Sequence, residues 1–194
     1  MRTGLIALLI MMALFMVFVL GGGCMVYSAY KTSISLDEEV QTKWADIEVD
    51  LQRRYDLIPN VAETVKGYAA HEKDLFENIA KSRERYFSAN SRSEKAEAAS
   101  GFGSVLSRLL VLKETYPQLK ANENFRGLMV QLEGTENRIA EKRRRYNESV
   151  KNLNTHIRGP IGSIASSWAG VEKADRFKMD ESAKDAPSVD FGSG

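Results

Sequence analysis

Residues that could do chemistry are few in this chain and stand far apart. The two histidines are His71 and His156. His71 and Glu72 begin like the His-Glu-x-x-His motif of zinc proteases, but Leu75 stands where the second histidine belongs. His156 has Leu153 three positions before it, which excludes the Glu-x-x-His pairs that hold iron in helical bundles. The sequence therefore predicts neither kind of metal site.

Nucleophilic and phosphate-binding motifs are missing as well. Cys24 is the single cysteine and lies in an apolar segment, so it predicts no disulfide, zinc cluster or cysteine–histidine nucleophile. Asp56, Asn60, His71 and Glu72 could form a polar site, although hydrogen bonding between helices explains the same residues. We expect no cofactor, no metal and no enzymatic activity.

The densest group of charges is the basic run Lys142, Arg143, Arg144 and Arg145. Successive residues of a helix lie about 100° apart, so the run does not form one stripe. Glu141 stands four residues before Arg145, the spacing of an i,i+4 ion pair, which favours a solvated face. The alternative is contact of Arg143, Arg144 and Arg145 with anionic lipid headgroups or with acidic residues of another subunit.

Composition bounds the class of protein. The length of 194 residues suits one compact domain plus a short additional segment. The formal net charge is +1, and apart from Arg2 the chain has equal numbers of basic and acidic residues. Binding to nucleic acid by bulk charge needs a basic excess, so the sequence predicts no nucleic-acid partner.

The first 30 residues predict a membrane anchor. Residues 4–30 carry no charge, and a helix needs about 20 apolar residues to span hydrocarbon. Tyr27 and Tyr30 then stand where aromatic residues meet the membrane interface. A cleaved signal peptide is the alternative. The predicted anchor residues are Leu5, Ile6, Leu8, Leu9, Phe15, Phe18 and Leu20.

Cys24 adds a lipoprotein alternative for this segment. Residues 21–24 resemble the cleavage box of lipoproteins, in which the cysteine receives lipid. Gly21 replaces the leucine expected three positions before that cysteine, which favours a transmembrane helix over lipidation. Basic residues are almost balanced across the segment. We expect the amino terminus in the cytoplasm and the domain outside it, with the cytoplasmic orientation of the domain as the alternative.

Beyond the anchor, the pattern is helical. Ser35 is a candidate N-cap, and apolar residues then alternate at spacings of four and three to about Tyr86. Pro59 stands inside this series without shifting its phase, although proline typically costs about 3 kcal/mol in a helix interior. The pattern predicts one long helix kinked at Pro59, with a tight break there as the alternative.

The same series defines the face of this helix that we expect to be buried. Arg54 and Glu72 are expected at the edges of that face. The predicted seam, for packing or oligomer contact, comprises Val40, Trp44, Ile47, Leu51, Ile58, Val61 and Val65.

Two further helices complete the predicted bundle. Ser91 and Glu94 have capping-box spacing, and their helix ends before Tyr116. The next helix runs from an N-cap at Asn122 to the Gly-Pro pair at 159–160. Short polar connections favour antiparallel neighbours. We therefore predict an all-α fold in which a transmembrane helix precedes an elongated antiparallel bundle of three to four long helices.

Residues 160–194 follow a different pattern. Ile161, Ile164 and Trp168 have helical spacing, and such a short segment could cap the bundle, lie in a membrane interface or bind a neighbouring subunit. We expect the capping role. A polar tail follows, in which Phe191 is an isolated hydrophobic anchor.

Several separate segments resemble the LemA family. They are residues 52–61 (QRRYDLIPNV), 65–72 (VKGYAAHE), 116–125 (YPQLKANENF), 132–140 (LEGTENRIA) and 145–147 (RYN) with Asn154, in that order. The resemblance covers roughly residues 27 to 191 and implies a single-pass, membrane-anchored helical bundle of a bacterial inner membrane. It implies no reaction. We therefore divide the chain into a transmembrane anchor at 1–30, a LemA-like bundle at 31–159 and the carboxyl-terminal segment at 160–194.

Two hypotheses of function follow. The seam of the first helix is longer than the second helix can cover, and uncovered apolar surface needs a partner. We therefore expect a non-enzymatic scaffold that self-associates into a homo-oligomer and organises or shapes the membrane. The alternative is an adaptor that presents membrane proteins to a partner such as a protease, through the segment around Trp168 and Phe191.

Overall fold

The structure is a computed structural model that describes residues 2–177, apart from the side chains of residues 2–5, 7 and 8. All regular elements in this part of the chain are α-helices. The prediction of an all-α fold with a long apolar amino-terminal helix is therefore confirmed. Phe191 lies outside the described residues. The helices are α1 (Arg2–Lys66), α2 (Lys73–Ser88), α3 (Arg92–Ser100), α4 (Phe102–Thr115), α5 (Pro117–Ala121), α6 (Glu123–Arg158) and α7 (Pro160–Ala169).

α1 differs from the prediction at both ends. Ser35 caps no helix, because helical backbone continues through it from Arg2. At the other end the expected helix to Tyr86 is wrong, since α1 stops at Lys66. Glycine costs about 1 kcal/mol in a helix interior, and Gly67 follows Lys66 directly. A turn over residues 67–72 then leads into α2.

Pro59 lies inside α1, so the chain does not break there. Ile58 and Val61 are both buried, which shows that the apolar register is the same on the two sides of the proline. The kink remains a prediction. The alternative of a tight break at Pro59 is wrong.

The apolar seam of α1 is covered within one protomer. Its seven predicted members are all buried: Val40, Trp44, Ile47, Leu51, Ile58, Val61 and Val65. The expectation of an uncovered seam was wrong because it allowed for too few covering helices. The turn at 67–72 lets α2 return along α1, where Tyr86 stacks on Tyr55 with ring centroids 4.3 Å apart.

Two predicted helix starts are confirmed by their caps. The Ser91 side chain accepts a hydrogen bond from the Glu94 backbone N–H at 3.2 Å, and the Glu94 carboxylate accepts one from the Ser91 N–H. Asn122 Oδ1 accepts from the Phe125 N–H at 2.9 Å at the start of α6. The predicted second helix is divided at Gly101 into α3 and α4.

The chain forms two compact units. Of the described residues, the first unit comprises those from Arg2 to Ala45 together with Arg145–Asp175, and the second comprises Asp46–Arg144 together with Arg176 and Phe177. α1 and α6 each contribute to both units. Within the second unit, residues of higher number in α1 meet residues of lower number in α6: Asp50 pairs with Arg138, and Arg54 with Glu136.

Candidate membrane-proximal site

The apolar part of α1 is exposed. Every described side chain from Ile6 to Met25 is exposed, and Cys24 is among them. Among the described residues, α1 is the one helix that is long and apolar enough to cross a membrane. Leu5 and Leu8 lie among the side chains that the structure leaves undescribed. The other predicted anchor residues, Ile6, Leu9, Phe15, Phe18 and Leu20, are all exposed.

Burial in α1 begins at Ser33, three residues beyond Tyr30. The Ser33 hydroxyl donates to the Ala29 carbonyl at 2.9 Å and also lies 2.9 Å from His156 Nε2 and 2.9 Å from Ser166 Oγ. A serine hydroxyl has one proton and two acceptor lone pairs, which match these three partners. The hydroxyl therefore joins α1, α6 and α7 within the first unit.

Gly162 allows α7 to approach the end of α6 closely. A Cβ at this position would overlap with the backbone carbonyl of His156 and lie 3.3 Å from its ring carbon Cδ2. Any larger residue would push α7 away from the Ser33 hydroxyl. Pro160 at the first turn and Gly170, whose φ is +68°, define the two ends of this short helix.

The Ser33–His156 pair has the atoms of a nucleophile and a base, but not the access. Ser33 is fully buried and Ser166 is 1% exposed. A catalytic serine must meet the carbonyl of a substrate, and this hydroxyl already contacts three protein groups. The cluster is therefore suited to fastening α7 onto α1 and α6.

α7 has an inner and an outer face. The inner face is Gly162, Ala165 and Ser166, all buried. The outer face is Ile161, Ile164 and Trp168; Ile164 is 50% exposed and Trp168 is 71% exposed. α7 thus presents a bulky apolar surface on the side away from its docking contacts. The capping role expected for this segment stays a prediction.

The segment after α7 is tied back to α6. Asn154 Nδ2 donates to the Ala174 carbonyl at 2.9 Å, and the Ala174 N–H donates to Asn154 Oδ1 at 3.1 Å. The Tyr146 hydroxyl donates to the Asp175 carbonyl at 3.0 Å, and the Tyr146 ring meets Trp44 edge-on with centroids 5.6 Å apart. Tyr146 and Asn154, two of the residues that carried the family resemblance, therefore hold the extended chain beyond α7.

The second unit contains a buried cation. Arg54 is 1% exposed; its guanidinium pairs with Glu136 and lies 4.9 Å from the centroid of the Phe102 ring. Burial lowers the pKa of Arg54, and the charge of Glu136 opposes that effect. The expected edge position of Arg54 is wrong, because α6 and α4 cover it. Glu72, by contrast, is half-buried and lies in the turn before α2.

Asp50 binds two cations of α6. Arg138 Nε lies 3.1 Å from one carboxylate oxygen, and Lys142 Nζ lies 2.7 Å from the other. Burial alone would raise the pKa of Asp50, but the hydrogen bonds from Lys142 and Arg138 outweigh it and hold the pKa below its ordinary value. These contacts connect α1 to α6 in the second unit.

Residues of the basic run of α6 contact other residues of the protein. The Arg143 guanidinium lies 4.2 Å from the Phe177 ring centroid, and Arg144 Nε donates to Glu141 at 3.0 Å. Arg145 is exposed and lies in the first unit. The lipid or subunit contact through these three arginines stays a prediction, and the Arg143 guanidinium faces the Phe177 ring.

The other candidate polar residues do not form one site. Asp56 binds its helical neighbour Gln52 at 3.1 Å, and Asn60 and His71 are exposed. Glu72 lies 3.5 Å from the Tyr116 hydroxyl. Among residues 2–177, no group of His, Cys, Asp and Glu side chains is arranged to hold a metal ion.

Comparison with known proteins identifies the family. A sequence model of the LemA family matches residues 43–191, well over half of the chain. The chain belongs to the LemA family. The magnetosome proteins MamQ 1 and MamQ 2 of Paramagnetospirillum magneticum (strain ATCC 700264 / AMB-1) are each 24% identical to it over 186 residues. MamQ of Magnetospirillum gryphiswaldense (strain DSM 6361 / JCM 21280 / NBRC 15271 / MSR-1) is also 24% identical. Each alignment covers 82% of this LemA protein and 68% of the relative.

Proposed function

We propose that this LemA protein is a membrane-anchored, non-enzymatic scaffold that self-associates and organises the membrane. The observation that carries the proposal is the continuity of α1: the exposed apolar segment and the buried residues Ser33, Val40 and Trp44 belong to one helix. No flexible linker separates the membrane segment from the first unit. A continuous helix fixes the orientation of the first unit relative to the membrane segment as well as attaching it, which suits a scaffold. The magnetosome names of the MamQ relatives support a role at a membrane.

Self-association is assigned to the membrane segment, because the seam of α1 is already covered. Gly21, Cys24, Ser28 and Thr32 follow one another at spacings of three or four and are all exposed. A Cβ at Gly21 would meet nothing within 4 Å. In lipid, small residues let two helices approach closely and pack. We propose that this face, the small-residue face of α1, meets its copy in a second protomer.

The proposed setting is a bacterial inner membrane crossed once. The amino terminus lies in the cytoplasm and the folded units lie outside it. We further propose that the helices beyond the anchor form an antiparallel bundle and that α1 is kinked at Pro59. The contacts of Asp50 with Arg138 and of Arg54 with Glu136 support opposite directions for α1 and α6 in the second unit.

Cys24 provides the test, because it is the single cysteine and lies on the proposed contact face. Mild oxidation of the full-length protein in its native membrane should give a disulfide-linked dimer that a reducing agent separates. Gly21→Leu should lower the dimer yield several-fold by holding the helices apart. The matched control is Cys24→Ser with Val26→Cys, which moves the thiol about 200° around the helix at nearly the same depth.

The crosslinking yields show whether the small-residue face is the contact between protomers. Equal crosslinking from both cysteine positions would show random collisions and contradict the small-residue face. A monomer under all conditions would contradict self-association through the membrane segment. An intact mass carrying lipid on Cys24 would replace the transmembrane anchor with the lipoprotein alternative.

The second candidate function is an adaptor that presents membrane proteins to a partner such as a protease. The exposed Trp168 on the outer face of α7 is the observation that favours it. Crosslinks from the membrane segment to one other protein, in place of the Cys24 dimer, would support the adaptor.

A further inference from the structure

The outer face of α7 (Ile161, Ile164 and Trp168) is apolar, although α7 is firmly docked. The Ser166 hydroxyl and Gly162 hold its inner face against α1 and α6. Ile164 and Trp168 remain at least half exposed. A tryptophan has an apolar ring and one polar N–H, which suits a boundary between hydrocarbon and water. The occupant of this face should therefore be amphipathic.

The position of α7 along α1 indicates what that occupant is. Ser33, the docking point of Ser166, follows Tyr30 by three residues and Tyr27 by six. At about 1.5 Å per residue, the docking point lies roughly 5–9 Å beyond the tyrosines that stand at the predicted membrane interface. The headgroup layer on each side of the hydrocarbon core is about 5–8 Å thick, so the docking point of α7 lies at the level of the headgroups.

The two exposed charges nearest in sequence to the Ser33–His156 contact are basic, which suits a surface of anionic lipid. Lys31 and Arg158 are both exposed, and each stands two residues from a member of the Ser33–His156 pair. The Lys31 ammonium lies 5.0 Å from the Tyr27 ring centroid, in the arrangement of a residue pair at a membrane interface. Two exposed cations close in sequence to the Ser33–His156 contact favour anionic headgroups.

We propose that α7 is a second membrane contact of this protein. Its outer face lies in the headgroup region of the leaflet from which α1 emerges, and the Ser33–His156–Ser166 cluster holds it at that level. The membrane then contacts the first unit at two places, the anchor and α7. This inference rests on the membrane anchoring in the proposed function but not on self-association.

Tryptophan fluorescence tests the proposal directly, because the chain has two tryptophans and neither is in the anchor. Trp44 is 5% exposed and serves as the internal reference. The full-length protein is placed in vesicles of phosphatidylcholine and phosphatidylglycerol, with or without bromine on the acyl chains near the headgroups. We expect these lipids to quench the wild-type emission at least about twofold more than that of Trp168→Phe, which retains only Trp44.

The outcomes separate this inference from the anchoring itself. Flotation of the vesicles after an alkaline wash reports the anchor independently of α7. Flotation with equal quenching of wild type and Trp168→Phe overturns the inference and leaves the anchor intact. A Trp168 that is shielded from both brominated lipid and aqueous acrylamide overturns it in favour of a protein partner. Loss of flotation overturns the anchoring and this inference together.

A second variant changes the outer face without touching Trp168 or the inner face. Ile164→Ser should make Trp168 shallower, which lowers its quenching by brominated lipid and raises its quenching by acrylamide. The matched control is Val130→Ser, an exposed valine on α6 in the second unit. Equal effects of the two variants would contradict the contact at α7.

Discussion

Arg54 shows what a charge on a packing seam does to this fold. Its guanidinium is buried beside Phe102 and pairs with Glu136, which is 38% exposed. Removing one partner of a buried pair leaves an unpaired charge, whereas an apolar residue of similar size is often neutral. The Arg54–Glu136 pair therefore specifies how α1 and α6 meet more than it stabilises them.

We predict that removing the charge of Glu136 destabilises the protein and that replacing Arg54 in the same protein restores most of the stability. Glu136→Gln should lower the free energy of unfolding by about 1–2 kcal/mol, because solvent around Glu136 reduces the full cost of an unpaired buried cation. Adding Arg54→Met should recover most of that loss. Denaturant unfolding of the full-length protein in detergent, followed by circular dichroism, measures both. A double variant less stable than Glu136→Gln alone would show that the Arg54 stem is required for packing.

Tyr86 predicts how stability changes at alkaline pH. Burial raises the pKa of Tyr86 from 10.0 to about 12, and the charge of Glu48 contributes to the same direction. The unfolded chain ionises first, so the stability from the neutral hydroxyl is complete below pH 10 and is lost as the pH rises from 10 to about 12. The Tyr86 hydroxyl has no hydrogen-bond partner among the described residues.

The variant Tyr86→Phe tests both the raised pKa of Tyr86 and the cost of its unpaired hydroxyl. At pH 8 it should be as stable as the wild type, or more stable by about 1 kcal/mol, because it removes an unpaired buried polar group. Its stability should fall less between pH 10 and 12, and the remaining loss should include Tyr55, whose pKa burial also raises. Unfolding curves at pH 8, 10 and 11.5 check this. Identical alkaline losses in wild type and variant would contradict the role assigned to Tyr86.

At the scale of the elements, Pro59 lies in the middle of the buried series of α1. Proline has no N–H, so the Tyr55 carbonyl, four residues before it, lacks its usual partner in the helix. We predict that Pro59→Ala leaves α1 helical and raises the free energy of unfolding by about 1–3 kcal/mol. Pro59→Gly should gain about 1 kcal/mol less than alanine. A loss of stability in Pro59→Ala would show that the packing of α1 needs proline at this position.

Helix starts with side-chain caps were predictable from the sequence, whereas the end of α1 was not. The Ser91–Glu94 capping box and the Asn122 cap match the structure because side-chain chemistry defines those positions. The end of α1 at Lys66 was missed because the apolar spacing continues through the turn to Leu75, which is also buried. Regular spacing indicates which residues face a core. It does not show that the backbone between them is helical.

The candidate site was predictable only on its membrane side. The exposed apolar residues of α1 follow from composition. The Ser33 cluster does not, since its partners His156 and Ser166 are more than 120 residues away in sequence. One signal was present: Ser33 stands seven residues before Val40, on the same heptad series. Extending that series by one repeat toward the anchor would have marked Ser33 as buried.

At the scale of the whole molecule, we assign two surfaces within the described residues to partners outside the chain. One is the small-residue face of α1, which we assign to a second copy of this LemA protein. The other is the outer face of α7, which we assign to lipid. The seam of α1 is no longer available, because the protomer's own helices bury it. We therefore propose that self-association depends on the membrane segment, and we predict that Gly21→Leu affects assembly without lowering the stability of the folded units.

Cryo-electron tomography of the full-length protein in vesicles of bacterial lipid tests the scaffold most directly. We predict clusters of protomers with a repeated spacing in the membrane plane for the wild type, and dispersed protomers for Gly21→Leu at the same protein density. Isolated protomers of the wild type at every density, with one copurifying protein partner, would contradict the scaffold and support the adaptor.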